Sequence, residues 1–66
     1  MKIFTVIING IEGVEVYDFD QAVSEAYEKI AQKFRDEETS HCIAELEQSR
    51  KTSYGSLSVS IRETES

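Results

Sequence analysis

Apolar and polar positions alternate from Lys2 to Ile8: Phe4, Val6 and Ile8 share one face, and Ile3, Thr5 and Ile7 share the other. The run is rich in β-branched residues, which suit a half-buried strand. After Asn9-Gly10 a second run follows, with Val14 and Val16 on one face and Glu15 and Tyr17 opposite. A two-residue loop at Asn9-Gly10 pairs Ile8 with Ile11 and sets Phe4 against Glu15. A three-residue loop, Ile8-Asn9-Gly10, moves the register by one and sets Phe4 against Val14. A one-residue shift sends every side chain to the other face, so burial decides. The longer loop is expected, with Gly10 left-handed and forming a bulge. That register turns Phe4, Val6, Val14 and Val16 toward the core and Ile3, Ile7 and Ile11 away from it.

From Asp18 the period changes. Ala22, Val23, Ala26, Tyr27, Ile30 and Phe34 recur at spacings of three and four, the stripe of an amphipathic helix. Asp18 is the expected N-cap, with Gln21 reaching back from N3 and Tyr17 packing on Ala22. Glu25 and Lys29 stand at i,i+4. The helix is expected to end near Arg35 to Glu37, frayed by Asp36-Glu37-Glu38 at its negative end. His41 to Gln48 carries two signals. Cys42, Ala44 and Leu46 alternate as in a strand, while AELEQ favours a helix; the strand is preferred. Ser49 to Ser53 is then a turn, and Gly55 to Arg62 is a strand with Leu57, Val59 and Ile61 on one face and serines on the other. The expected fold is α+β in the order ββαββ, a four-stranded mixed sheet with one helix on one face. A single helical crossover returns strand 4 beside strand 1 and parallel to it. Strands 2 and 3 are then edges, where Glu12, Glu15, Glu45 and Glu47 discourage edge-to-edge pairing.

MKIF, the Asn-Gly turn and the helix with Val23, Ala26 and Ile30 resemble the start of ubiquitin-like β-grasp proteins. FTVIING, FDQAVSEAYEKIAQKF and GSLSVSI are similar to the matching elements of the small immunoglobulin-binding domains of proteins L and G. The resemblance implies strand order 2-1-4-3 and concerns fold, not function. The chain ends RETES where ubiquitin-like modifiers and sulfur carriers carry a Gly-Gly tail. It has one cysteine where ferredoxin relatives need four. The expected third strand lacks the aromatic that the antibody-binding domains use.

The 66 residues fit one domain, residues 1–66. A chain of this size buries roughly 60% of its unfolded surface and has a stability on the order of 3–5 kcal/mol. The formal net charge of −6 argues against direct binding of nucleic acid and for a basic or neutral protein partner. Cys42 alone forms no internal disulfide, which suits a reducing cytoplasm. No apolar run approaches the ~18 residues of a membrane span, and MKIFTV does not read as a signal peptide.

No constellation of catalysis stands out. His41 and Cys42, as strand neighbours, point to opposite faces, and no further ligand stands at useful spacing. No enzyme activity, cofactor or metal is therefore expected. Two surfaces remain. The outer sheet face gathers Ile3, Ile7, Ile11 and Ile43, with Ser58 and Ser60 beside them, and a patch of that kind marks an interface. The acids Glu12, Glu15, Asp20, Glu25 and Glu28 form a strip with no base before Lys29. The leading expectation is an acidic protein-interaction module that uses the outer face, as a homodimer or on another protein. One alternative is an inhibitor of a nucleic-acid-processing protein, like those of phages and mobile elements (the anti-CRISPR type), using the acids to imitate phosphates. Another is a ubiquitin-like modifier without a Gly-Gly tail.

Overall fold

The computed structural model describes residues 1–65. The element order is β1 (Lys2–Ile8), β2 (Ile11–Val16), α1 (Phe19–Ala31), α2 (Asp36–Ser49), β3 (Lys51–Tyr54) and β4 (Leu57–Glu65). The fold is α+β and the sheet order is β2-β1-β4-β3, as expected. Two features differ: there are two helices, and every neighbouring pair of strands is antiparallel, β1 and β4 included. The second follows from the first. Each element roughly reverses the one before it, so an added helix between β2 and β3 inverts β4 relative to β1.

The opening hairpin corrects the expected register. Asn9 and Gly10 both have positive φ, 52° and 81°, the mark of a two-residue type I′ turn, and Ile8 pairs with Ile11. The register shifts farther along: Ile7 pairs with Glu12, but Thr5 pairs with Glu15 and Phe4 with Val16. Gly13 and Val14 thus oppose Val6 together in a bulge. Gly13 suits the tight spot, because a Cβ there would sit 3.3 Å from the Val6 carbonyl oxygen. Phe4 does meet a valine on the core side, but the extra residue lies in the strand and not in the loop. As the partner of Ile8, Ile11 shares the helix-side face; it is 73% exposed at the sheet's rim and is not on the outer face.

Asn9 also extends the central ladder. Its N–H donates to the Ser58 carbonyl at 2.7 Å, and its Oδ1 accepts from the Ser58 N–H at 2.9 Å. Asn9→Ala removes that acceptor and puts a side chain poorly suited to φ > 0 in its place. The expected loss is about 1–2 kcal/mol in urea denaturation; an unchanged midpoint would mean that the turn tolerates any residue.

Asp18, in extended conformation, caps α1 by accepting from the Asp20 N–H at 2.8 Å. Ala22, Ala26 and Ile30 are fully buried along one stripe. The helix stops at Ala31, before the expected end, and Asp36-Glu37-Glu38 opens a second helix. Three acids that sit badly at a helix C-terminus sit well at the positive end of α2. Glu38 accepts from the Arg35 N–H at 3.4 Å, and Thr39 Oγ1 donates to the Arg35 carbonyl at 2.9 Å.

The segment 41–48, expected as a strand, belongs to α2. Thr39, Cys42 and Leu46 are buried at helical spacing, and Ile43 packs against the core beside them. Cys42 and Leu46 satisfy both periods; Ala44, which the strand would bury with them, is exposed. Arg50, left-handed at φ 61°, closes α2 and donates its N–H to the Leu46 carbonyl at 2.8 Å. The expected turn at 49–53 is largely β3, where Thr52 is buried between exposed Lys51 and Ser53. A Gly55-Ser56 turn then pairs Tyr54 with Leu57.

Both helices cover the same sheet face, α1 over β1 and β2 and α2 beside β3. One core joins Phe4, Val6, Leu57, Val59 and Ile61 of the sheet to Ala22, Ala26, Ile30, Cys42 and Leu46 of the helices. The opposite face of the sheet is uncovered.

Candidate functional site

The uncovered face is centred on β1. Thr5 is 1% exposed, flanked along the strand by half-buried Ile3 and Ile7. Glu15 and Arg62 lie opposite Thr5 on the two neighbouring strands, and Glu12 and Ser60 lie opposite Ile7. Arg62 Nη2 pairs with Glu12 Oε1 at 2.9 Å. Ser58 is on this face as well. Of the expected patch, Ile3, Ile7, Ser58 and Ser60 are brought together. Ile11 is at the rim of the other face, and Ile43 is on α2 against the core. Thr5 was not among the expected residues; its place at the middle of a central strand was the available signal. What remains is a small apolar row inside a charged frame.

The helical layer has a different character. Nine of the thirteen acids lie between Asp18 and Ser49, with only Lys29, Lys33 and Arg35 among the bases. Outside that span, Glu12, Glu15, Glu63 and Glu65 balance Lys2, Arg50, Lys51 and Arg62. The chain's net charge of −6 is therefore carried by the helical layer and its caps. Charges on the sheet side are largely paired, through Arg62–Glu12 and through Glu63 with Arg50 at 2.7 Å and Lys2 at 3.7 Å. In the helical layer the ion pair among the described residues is His41 Nε2 with Glu45 Oε1 at 3.8 Å, which forms only when His41 is protonated. Glu25 and Lys29 are not paired there.

The expected strip of five acids is divided. Glu12 and Glu15 lie on the outer sheet face, whereas Asp20, Glu25 and Glu28 are on α1. The acids that join the α1 group are Asp36, Glu37, Glu38, Glu45 and Glu47 of α2. They went unrecognised because their segment read as a frayed helix end and a strand.

Two aromatic corners fix the layer to the sheet. Arg50 stacks over Phe19 at 5.2 Å and over Phe4 at 5.9 Å, and the two rings meet edge to face at 5.8 Å. At the other corner Phe34 meets Tyr54 at 5.2 Å, and the Glu38 carboxylate raises the Tyr54 phenol's pKa, through hydrogen bonding first and its charge second. The Arg50 hydrogen bond holds the Glu63 carboxyl below its ordinary value of 4.5, with Lys2 adding to the effect against the opposing pull of burial. A lowered folded-state pKa means that this pairing stabilises the fold above the ordinary value. The contribution is lost as pH falls through the lower, folded one. Glu63→Gln should therefore flatten the acid limb: its melting temperature should fall less than that of the wild type between about pH 6 and about pH 3. Parallel curves would remove Glu63 from the acid transition.

Two depressions flank the layer. A polar one of about 360 Å³ lies among Glu45, Ser49, Lys51, Thr52, Ser53 and Ser58, where Thr52 Oγ1 donates to Glu45 at 2.7 Å. A more apolar one of about 270 Å³ lies between β2 and α1, lined by Val6, Ile8, Gly13, Val14, Glu25 and Lys29. Cys42 is buried while His41 is exposed, and no group of three or more His, Cys, Asp or Glu is placed to hold a metal ion among the described residues. No helix among them is long and apolar enough to cross a membrane. Comparisons with protein-family models, curated proteins and solved structures find no match to this chain.

Proposed function

We propose that the chain is a small non-enzymatic protein-interaction module whose acidic helical layer seats on a basic surface of another protein. The surface in question is of the kind that otherwise grips a nucleic-acid backbone. The observation that carries this reading is the segregation of charge: a layer holding the whole net charge lies above a sheet whose charges balance. A one-signed surface speeds encounter with an opposite one and rejects like-charged partners. It also competes with phosphates for the same lysines and arginines, so inhibition of a nucleic-acid-processing protein is the natural consequence. The buried lone thiol of Cys42 suits a reducing compartment, and the cytoplasm is taken as the setting. The test is charge exchange at Glu28, Glu37 and Glu47, each to lysine, which should abolish capture of the partner without unfolding the chain.

A second reading is favoured by the uncovered row of Ile3, Thr5 and Ile7, on which a second copy or another protein would dock. It predicts the opposite pattern: capture or self-association survives the charge exchange and is lost in Ile7→Glu.

A further inference from the structure

The groove between β2 and α1 combines features that the charge of the helical layer does not require. Its floor is Val6, Ile8 and Val14, and Gly13 of the bulge lines it without a side chain. Val14 is 40% exposed there, and Ile11, on the same face of β2, is 73% exposed. The groove lies at an open sheet edge, since β2 pairs only with β1. Glu25 and Lys29 form its wall, with Glu28 one turn from Glu25 on α1, and Glu15 on β2 has no ion-pair partner among the described residues.

A second copy of the chain fits this edge poorly. Antiparallel pairing of β2 with itself in the register that keeps the faces matched sets Glu12 opposite Glu15 twice, and directly opposed like charges are destabilising. The same acids favour a segment of opposite sign. We infer that the groove takes one large apolar side chain from a partner segment in which lysines and arginines flank that residue. The apolar side chain covers Val6, Ile8 and Val14, while the flanking bases reach Glu25, Glu28 and Glu15. This inference rests on the acidic-layer reading and supplies its anchor, since interfaces concentrate their energy in a few well-packed side chains.

The experiment is an NMR titration of the intact protein with the synthetic peptide Lys-Arg-Leu-Lys-Arg, capped at both ends. The expected result is shifts of the Val6, Ile8 and Val14 methyl groups. Affinity should fall about tenfold when the peptide's leucine becomes serine, and should also fall in Val14→Ser, which removes apolar floor without adding charge at a partly exposed position. Equal affinity of the leucine and serine peptides, shifts confined to other sites, or no binding at all would overturn the inference. Glu37→Lys/Glu47→Lys, which leaves the acids beside the groove in place, separates the two claims. Leucine-independent binding that this variant loses overturns the groove alone and leaves the acidic layer standing. Leucine-dependent binding that survives in it supports the groove and counts against the layer.

Discussion

Leu46→Ala should remove most of the protein's stability at 25 °C. Leu46 is 0% exposed and lies on α2 in the same core as Ile30, Val59 and Cys42. Truncating a buried leucine costs about 2–5 kcal/mol, the larger values applying where the surroundings cannot close the cavity. Two helices and four strands converge on this core, which leaves little freedom to collapse. A domain of this length has on the order of 3–5 kcal/mol in total, so the single change removes most of it. Ala44→Ser, two residues away on the exposed side of α2, should cost only about 0.5 kcal/mol, the difference in helix propensity. Far-UV circular dichroism and urea denaturation of the two variants check the pair. If both cost the same, α2 does not bury the face described here.

The second large effect is on binding. Glu28, Glu37 and Glu47 are exposed, and none of them caps a helix or makes an ion pair among the described residues. Each exchange to lysine adds two charges, so the three together bring both the helical layer and the chain from −6 to zero. The cost to the fold is small: Glu37→Lys puts a cation near the positive end of α2, and Glu47→Lys puts one near its negative end, each effect about 0.3–1 kcal/mol and opposite in sign. Binding to a basic surface should instead fall by at least about a hundredfold, since a handful of complementary pairs at roughly 1 kcal/mol each are replaced by repulsions. Wild-type affinity should also weaken as salt rises, because exposed charges are screened over about 8 Å at physiological ionic strength.

Most of the sheet was legible in the sequence. β1 and β4 have clean alternation, and α1 has both a capping aspartate and a continuous stripe. The helical half of 36–49 was not, because Cys42 and Leu46 stand at positions that a strand and a helix both bury. The acids at 36–38 decided the matter and were read at the wrong helix end. The Gly55-Ser56 pair marks a hairpin as well, but with 41–48 read as the strand beside β4, residues 49–53 are left as its turn. The Asn9-Gly10 turn had its usual two-residue form all along. The conflict at Phe4 was resolved by Gly13, whose role depends on a backbone approach to Val6 that residue order does not reveal. The same misreading hid the acidic layer, for five of its acids belong to α2. It also placed Ile43 on the outer face, as the expected three-residue loop placed Ile11 there.

The most direct test of the central claim is capture by the immobilised protein from its own cell lysate, at low salt, with and without added duplex nucleic acid. The account predicts that a basic, nucleic-acid-binding protein is retained, is displaced by the duplex, and is not retained by Glu28→Lys/Glu37→Lys/Glu47→Lys. Retention of the same protein by that variant, undiminished by the duplex, would contradict it.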